Sequence, residues 1–313
     1  MKHAVITGAN GFVGFAVLKE LLSNDYQIYA IIRPVSCTSF INKIKASCLD
    51  ERRITIIPYD LHDIDRIKEC LLSINTHFDA FYHLAWNGSA GTKRSDLKVQ
   101  LDNIQLTGNI LDMLAKLDVG CFVGAGSIME DEALNMAYKG LGKTNPNYIY
   151  SSAKLESHLV SKIKAQSYGI DIRWAKITNA FGEGDNTGRF INTMIRKMMK
   201  DEECCFSKGD QLYDFIYITD AARAFRLIGE KGCNLSAYNL GSGKADQLKS
   251  FIYKMRDTIK SESVLKFNPD NTGICYLDES SFSIDSLNHD TGFEPEVKFE
   301  DGIVKAIAYL KQQ

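Results

Sequence analysis

The sequence predicts an α/β fold in which a doubly wound parallel sheet precedes a smaller C-terminal α/β lobe. The first half of the chain alternates short β-rich runs with helical stretches. Such alternation is typical of a parallel sheet that is covered by helices on both faces. After about residue 178 the rhythm changes, because the turn-rich segment "NAFGEGDNTG" (179–188) is followed by shorter and less regular elements. This change indicates where the second lobe begins.

The elements of the first half are indicated by the periodicity of their apolar residues. The candidate strands are 3–7, 27–33, 53–58, 79–85, 119–124 and 170–177, and the helical stretches are 12–23, 38–48, 63–74, 95–117 and 148–168. In the fourth helical stretch, the spacing of four apolar residues predicts one apolar face, formed by Leu101, Ile104, Leu111 and Leu114.

The composition is that of a globular protein and argues against several partners. With 313 residues, 45 % of them hydrophobic and 24 % charged, the chain can bury a large core. A net charge of -2 gives no sign of a nucleic-acid or membrane surface, and no apolar stretch is long enough to span a bilayer. Because no secretory segment follows Met1, we expect a cytoplasmic protein. The eight cysteines and six histidines lack metal-ligand spacing, so we expect reduced thiols and no metal.

The first turn of the chain, in "VITGANGFVG" (5–14), carries the strongest local signal. Gly8, Gly11 and Gly14 lie three residues apart, after an apolar run and before a helical stretch. Glycines at such a turn let backbone amides approach a pyrophosphate at the helix N-terminus. The pattern predicts a Rossmann-type dinucleotide-binding domain over residues 1–178, to which 219–243 return. Residues 179–218 and 244–313 would form the substrate-binding lobe.

The end of the second strand indicates which dinucleotide is bound. About twenty residues after the glycines, an NAD site usually offers Asp or Glu to the ribose 2′-hydroxyl. This chain has Arg33 in "IIRP" at that place, and no acid follows until Asp50. A guanidinium can pair with a 2′-phosphate. The sequence therefore favours NADP(H), and NAD(H) stays open as the alternative.

The segment "YSSAK" places Tyr150 and Lys154 four residues apart on a predicted helix, hence on one face. Tyr150 is the one tyrosine of the 14 in the chain with a lysine at that spacing. A nearby ammonium favours tyrosinate and lowers the pKa of the phenol. We therefore expect Tyr150 to act as a proton donor or acceptor near neutral pH.

The motifs together resemble the extended short-chain dehydrogenase/reductases, in particular the NAD-dependent epimerase/dehydratase group that works on nucleotide sugars. The matching segments occur in family order and cover nearly the whole chain: "TGANGFVG" (7–14), "DL" (60–61), "HLAW" (83–86), Asn103, "GAGS" ending at Ser127, "YSSAK" (150–154), "NAFGEGD" (179–185), "GDQLYDFIYITDAARA" (209–224) and "YNLGSG" (238–243).

The resemblance implies a role for each matching residue. Cofactor binding falls to Gly8, Asn10, Gly11, Phe12, Val13, Gly14, Asp60, Leu61, Leu84, Ala85, Trp86, Asn103, Tyr150 and Lys154, together with Arg33. Ser127, Tyr150 and Lys154 would be catalytic. The substrate would contact Ser127, Asn179, Arg189 and the position of Tyr213. A homodimer through the helices at about 95–117 and 148–168 is also expected from the resemblance.

Two departures from the family pattern bear on the reaction. Dehydratases of the group carry Asp-Glu directly after the Ser/Thr, whereas here Ile128 and Met129 follow Ser127. Epimerases typically retain NAD held by an acid after the second strand, where this chain has Arg33. We therefore expect an NAD(P)H-dependent reductase that acts on a keto group (4-keto) of a nucleotide sugar, with Tyr150 as proton donor. A nucleotide-sugar 4-epimerase with tightly bound NAD is the alternative.

A third departure concerns the substrate. Tyr213 stands where enzymes of the group usually place an arginine on the substrate diphosphate. Arg189, Arg196 and Lys208 are candidates for binding the diphosphate in its place. A second alternative is therefore an NADPH-dependent reductase of a carbonyl substrate without a nucleotide. A catalytically silent dinucleotide sensor is disfavoured, because it would not need Ser127, Tyr150 and Lys154 together.

Overall fold

The computed structural model describes residues 1–139, 145–185, 188–268 and 277–312. Parts of the predicted second lobe, residues 186–187, 269–276 and 313, lie outside this range. The strands are β1 Lys2–Thr7, β2 Tyr26–Ile31, β3 Ile54–Ile57, β4 Ala80–His83, β5 Cys121–Ser127, β6 Asp171–Ile177, β7 Ala180–Phe181, β8 Cys204–Phe206, β9 Leu212–Tyr213, β10 Ile216–Tyr217, β11 Ser236–Leu240, β12 Asp246–Gln247 and β13 Leu265–Phe267.

Seven of these strands form one sheet in the order β11-β6-β5-β4-β1-β2-β3. Every neighbouring pair in it is parallel. The strand order reverses between β1 and β4, which leaves a crevice at the carboxyl ends of the strands. The predicted Rossmann-type doubly wound sheet is confirmed.

Helices cover both faces of this sheet. Their bounds are α1 Phe12–Ser23, α2 Cys37–Ala46, α3 Ile64–Ile74, α4 Leu97–Leu114, α5 Met129–Lys139, α6 Tyr148–Tyr168, α7 Phe190–Met198, α8 Ile218–Lys231, α9 Leu248–Ile259, α10 Asp285–Thr291 and α11 Phe299–Leu310. On one face α1 packs against α8, and on the other α4 packs against α6. Two hydrophobic cores result, one on each side of the sheet. No helix among the described residues is long and apolar enough to cross a membrane.

Three elements differ from the sequence expectations. Strand β5 continues to Ser127 rather than ending at residue 124, and helix α5 was not predicted at all. The expected apolar face of α4 is wrong at its N-terminal end, because Leu101 is 53 % exposed. There the buried face carries the polar residues Gln100 and Asn103 instead, since it faces the crevice and not the core.

The remaining strands pair two by two beyond the carboxyl edge of the main sheet. β7 pairs with β10, β8 with β13, and β9 with β12. An aromatic cluster joins these short ladders to the last helices: Phe215 lies 5.0 Å from Phe251 and 5.3 Å from Phe299, measured between ring centres. This packing fixes the segment around β9 and β10 at the open end of the crevice.

Candidate active site

The glycine turn between β1 and α1 requires its glycines for steric reasons. Gly8 has a φ of +74°, and a Cβ there would lie 2.6 Å from the backbone nitrogen of Ala85. A Cβ at Gly14 would lie 2.1 Å from the carbonyl oxygen of Gly8. No side chain caps the N-terminus of α1, so its first amides face the crevice without a side-chain acceptor. This donor set fits a phosphate group at a helix N-terminus.

A cavity of about 1020 Å³, here called the site cavity, runs along the crevice from Arg33 to Phe215. It is lined by every residue that the sequence analysis assigned to the cofactor: Gly8, Asn10, Gly11, Phe12, Val13, Gly14, Arg33, Asp60, Leu61, Leu84, Ala85, Trp86, Asn103, Tyr150 and Lys154. Ser127, Asn179 and Arg189 line it as well. Its volume and its lining residues fit a dinucleotide together with a substrate.

At the β2 end of the site cavity, a basic residue is exposed beside a hydrogen-bonded carboxylate. Arg33 is exposed and stands two residues after the end of β2. The Asp60 carboxylate accepts hydrogen bonds from the backbone N–H of His62 (3.1 Å) and from its ring (2.6 Å). The opposite ring nitrogen of His62 lies 3.0 Å from Asp102. Although burial acts to raise it, the pKa of Asp60 is lowered overall, by the His62 contacts and the positive charge of Arg33.

The loop after β4 is held in place by the buried polar face of α4. The Asn103 amide donates to the carbonyl oxygen of Asn87 (2.8 Å) and accepts from its N–H (2.9 Å). The Gln100 amide accepts from the indole N–H of Trp86 (3.0 Å) and donates to the carbonyl oxygen of Gly88 (3.1 Å). Asn103 therefore borders the site cavity, but its amide is hydrogen-bonded to the backbone of the loop.

The histidine at the end of β4 is a neutral structural residue. His83 is buried between the hydroxyls of Thr7 (2.8 Å) and Thr107 (3.2 Å). Burial, and secondarily the charge of Lys154, lowers its pKa to about 3. His83 therefore does not take up a proton in the physiological range.

Ser127, Tyr150 and Lys154 converge where β5 meets α6. All three are buried. The Ser127 hydroxyl accepts from the backbone N–H of Met129 (3.2 Å), and its side chain also hydrogen-bonds Tyr150. Lys154 Nζ donates to the carbonyl oxygen of Ala125 (2.8 Å) and lies 3.5 Å from the centre of the Trp86 ring. The Trp86 ring in turn meets the Tyr150 ring edge-on, at 6.1 Å between centres.

The electrostatics of this trio differ from the sequence expectation. Burial lowers the pKa of Lys154 to about 7, partly opposed by Glu130. Burial also raises the pKa of Tyr150, so the expected lowering of this pKa by Lys154 is wrong. The physical reason is desolvation, which disfavours both the ammonium and the phenolate.

A buried acid, Glu130, is hydrogen-bonded to the backbone of one member of the trio. Glu130 is 1 % exposed. Its carboxylate accepts from the backbone N–H of Ser127 (2.8 Å), the indole N–H of Trp174 (3.0 Å) and Nδ1 of His158 (3.0 Å). The His158 ring stacks on Trp174 with 4.9 Å between centres. Glu130 thereby fixes the backbone that carries the Ser127 hydroxyl.

The far end of the site cavity brings residues of the second lobe next to Tyr150. Asn179 donates its side-chain N–H to the carbonyl oxygen of Asp214 (3.0 Å), and Arg189 Nη2 lies 3.5 Å from Ser89 Oγ. Tyr213 is not among the described residues that line the cavity; it stacks on Phe215, which does line it.

Several lining residues were missed by sequence reasoning, among them His62, Ser89, Arg94, Asp102, Asp185 and Phe215. Of these residues, Arg94 is in contact with Tyr150: its guanidinium carbon lies 4.1 Å from the centre of the Tyr150 ring. It stands in the loop segment "GTKRSD", whose pattern gives no signal for a functional role.

Comparison with known proteins shows to which family the chain is related. The model of the NAD dependent epimerase/dehydratase family matches residues 4–241. CDP-abequose synthase of Salmonella muenchen is 27 % identical over 98 % of this chain and 97 % of that protein. A putative UDP-glucose 4-epimerase of Methanocaldococcus jannaschii is 24 % identical over 98 % of each chain. The crystal structure of dTDP-glucose 4,6-dehydratase of Bacillus anthracis in complex with NAD superposes with a TM-score of 0.80 at 16 % identity, covering 100 % of this chain and 97 % of that one.

The family match spans most of the chain and includes the glycine turn, Ser127, Tyr150 and Lys154. It confirms the resemblance noted in the sequence. The chain belongs to the NAD-dependent epimerase/dehydratase family and is an enzyme of the extended short-chain dehydrogenase/reductase type.

Proposed function

We propose that the protein reduces a keto group, the 4-keto group, of a nucleotide sugar with NADPH. The observation that carries this proposal is Arg33, a cation at the end of β2 that lines the site cavity where an NAD-retaining enzyme has an acid. A guanidinium there suits the 2′-phosphate of an exchangeable NADPH. The similarity to CDP-abequose synthase supports a sugar linked to a nucleoside diphosphate.

The residues of the catalytic trio would divide the work as follows. The cofactor, when bound, supplies the hydride that reduces the carbonyl carbon. Tyr150 donates its phenolic proton to the carbonyl oxygen, and the Ser127 hydroxyl hydrogen-bonds that oxygen. Lys154 binds the nicotinamide ribose from the floor of the site cavity. Dehydration is disfavoured, because the side chain after Ser127, Ile128, is apolar and buried.

Arg189 is the proposed cation for the substrate diphosphate. It lines the site cavity from the N-terminal end of α7, on the side of the second lobe. Tyr213 cannot replace an arginine in this role and stacks on Phe215 outside the cavity lining. The proposal assigns residues 179–218 and 244–313 to the substrate lobe, with 219–243 returning to the dinucleotide-binding domain 1–178.

The 4-epimerase remains the second candidate, and the similarity to the putative UDP-glucose 4-epimerase favours it. The two candidates differ in the fate of the cofactor. An epimerase keeps its NAD through each turnover, whereas a reductase exchanges oxidised for reduced cofactor.

The first test measures which nucleotide the protein holds. The purified protein is denatured, any released nucleotide is identified, and the emptied protein is titrated with NADPH and NADH by fluorescence. We expect no retained NAD and tighter binding of NADPH. Arg33→Gln should weaken NADPH binding by about tenfold and leave NADH nearly unchanged, because only NADPH carries the 2′-phosphate. Stoichiometric retained NAD would instead favour the epimerase.

Turnover is then followed as NADPH oxidation with 4-keto sugars linked to different nucleoside diphosphates. Tyr150→Phe should lower the rate by about 100-fold or more, because the proton donor is lost. Tyr253→Phe is the matched control, since Tyr253 is exposed on α9. A Tyr150→Phe enzyme with full activity would exclude the proposed chemistry.

A further inference from the structure

Arg94 lies over the ring of the proposed proton donor, although its sequence surroundings do not single it out. It belongs to a short 3₁₀ turn, Thr92–Ser95, between β4 and α4. Its guanidinium carbon is 4.1 Å from the centre of the Tyr150 ring, and its Nη1 donates to the carbonyl oxygen of Ser89 (3.1 Å). A guanidinium at this distance is in cation–π contact with the ring. The bond to Ser89 fixes it there.

Lys154, the cation expected to act on Tyr150, is directed to other groups. Its ammonium donates to the carbonyl oxygen of Ala125 and faces the Trp86 ring. Burial lowers the pKa of Lys154 to about 7, so in a fraction of the protein molecules this amine is uncharged at neutral pH. Lys154 therefore stabilises the Tyr150 phenolate less than the four-residue spacing suggests.

Three elements besides α6 bring charged groups to Tyr150. These are the 3₁₀ turn with Arg94, the N-terminus of α7 with Arg189, and α5 with Glu130. Burial has the largest influence and raises the pKa of Tyr150, and Glu130 acts in the same direction. Arg94 opposes it, followed by the hydrogen bond of Ser127 and by Arg189. Arg94 is thus the cation with the largest favourable influence on the phenolate.

We propose that Arg94 is a positioning residue of the active site, which holds the Tyr150 ring by cation–π contact and stabilises the phenolate that proton donation leaves behind. This inference rests on the proposed role of Tyr150. When the carbonyl carbon accepts a hydride, the phenolic O–H bond breaks and an O–H bond forms on the substrate. The negative charge then stays on Tyr150 until a solvent proton replaces the one donated. A cation against a buried ring lowers the free energy of that anion more than it would in water.

The test follows the ionisation of Tyr150 directly. The full-length protein is labelled with ¹³C at tyrosine Cζ, and the Tyr150 signal is assigned by its absence in Tyr150→Phe. The midpoint of its titration is compared between the parent protein and Arg94→Gln, without cofactor or substrate. We expect the midpoint to rise by about one pH unit, because a cation within a few ångströms is lost.

Two further variants decide whether the charge over the ring is the cause. Arg66→Gln removes the same charge from the exposed face of α3 and should leave the midpoint in place. Arg94→Lys keeps the charge without the planar guanidinium, and its midpoint should rise less than that of Arg94→Gln. An unchanged midpoint in Arg94→Gln, an equal rise in Arg66→Gln, or a rise in Arg94→Lys as large as in Arg94→Gln would overturn the proposal.

These outcomes stand apart from those of the proposed function. The titration needs no turnover, so a failure to reduce keto sugars leaves it unaffected. Conversely, an unchanged midpoint in Arg94→Gln would remove Arg94 from the mechanism while leaving Tyr150 as the proton donor.

Discussion

A lysine buried at the floor of the site cavity makes the stability of the protein depend on pH. The folded-state pKa of Lys154 is about 7, against 10.5 for an ordinary lysine. Between these values the unfolded chain binds more protons than the folded one, so raising the pH favours the folded state. We expect the free energy of unfolding to rise by about 2 kcal/mol between pH 7 and 9 through this residue.

The measurement compares denaturant unfolding of the parent protein with that of Lys154→Met at both pH values. The variant should lack this rise, because it carries no proton to lose. Lys98→Met, which removes an exposed lysine on α4, should keep it. A parent protein and a Lys154→Met variant that change in parallel with pH would show that Lys154 is not desolvated as the structure indicates.

At the residue scale, sequence reasoning was strongest where function imposes a local spacing. Gly8, Gly11 and Gly14 share one turn, and Tyr150 and Lys154 share one helix face, so both patterns were visible in the chain. Arg94 and Glu130 were not, because their roles arise from contacts with residues that are distant in sequence. The pKa direction of Tyr150 was wrong for a related reason: spacing shows which charges are near, but burial is a property of the folded protein.

Strand β5 reaches Ser127 because two glycines make room for a tryptophan of β6. A Cβ at Gly124 would lie 2.2 Å from Cε3 and Cζ3 of Trp174, which is buried. We expect Gly124→Ala to destabilise the protein by about 2 kcal/mol, because a rigid ring and a strand backbone have little freedom to shift. Chemical denaturation measures this loss.

A double-mutant cycle tests whether Trp174 is the cause. In Trp174→Leu the space above Gly124 is enlarged, so adding Gly124→Ala to that variant should cost much less than in the parent protein. Gly108→Ala is a control on α4, where the nearest atom to a new Cβ is 3.5 Å away on the flexible side chain of Lys164. Additive losses in the cycle would refute the steric explanation.

The same contact explains why the predicted strand ends at residue 124, three residues before the observed end of β5. "GAGS" looks like a turn, since glycine is uncommon within strands. Here the glycines are needed inside the strand, and their partner Trp174 lies on a neighbouring strand that is remote in sequence. Helix α5 was missed although its acidic first turn (Glu130, Asp131 and Glu132) is typical of a helix start.

At the scale of the whole molecule, the sequence predicted the strands of the main sheet. For the second lobe it indicated the residue range but not the individual strands and helices. Parallel strands buried on both faces are apolar runs separated by helices, and this pattern survives in a single sequence. The strands in the proposed lobe are only two or three residues long, such as β7 and β9. Their residue pattern therefore carries little periodic signal.

The outer faces of α4 and α6 indicate how two copies would associate. The two helices pack side by side, and each leaves apolar residues in solvent at a four-residue spacing: Leu97 and Leu101 on α4, Leu159 and Ile163 on α6. Exposed apolar side chains on neighbouring helices are typical of a subunit interface. We therefore propose the homodimer expected from the sequence, and we expect sedimentation equilibrium to give twice the chain mass.

The double variant Leu101→Lys and Ile163→Lys should sediment as a monomer, because charges on both helices would be desolvated at the interface. Leu72→Lys is the matched control, since Leu72 is equally an exposed leucine but lies on α3. It should remain dimeric. A parent protein that is monomeric at high micromolar concentration would contradict the proposal, and a dimer that survives both lysines would place the interface elsewhere. Because the site cavity is complete within one chain in the described residues, we expect the monomeric variant to retain NADPH binding.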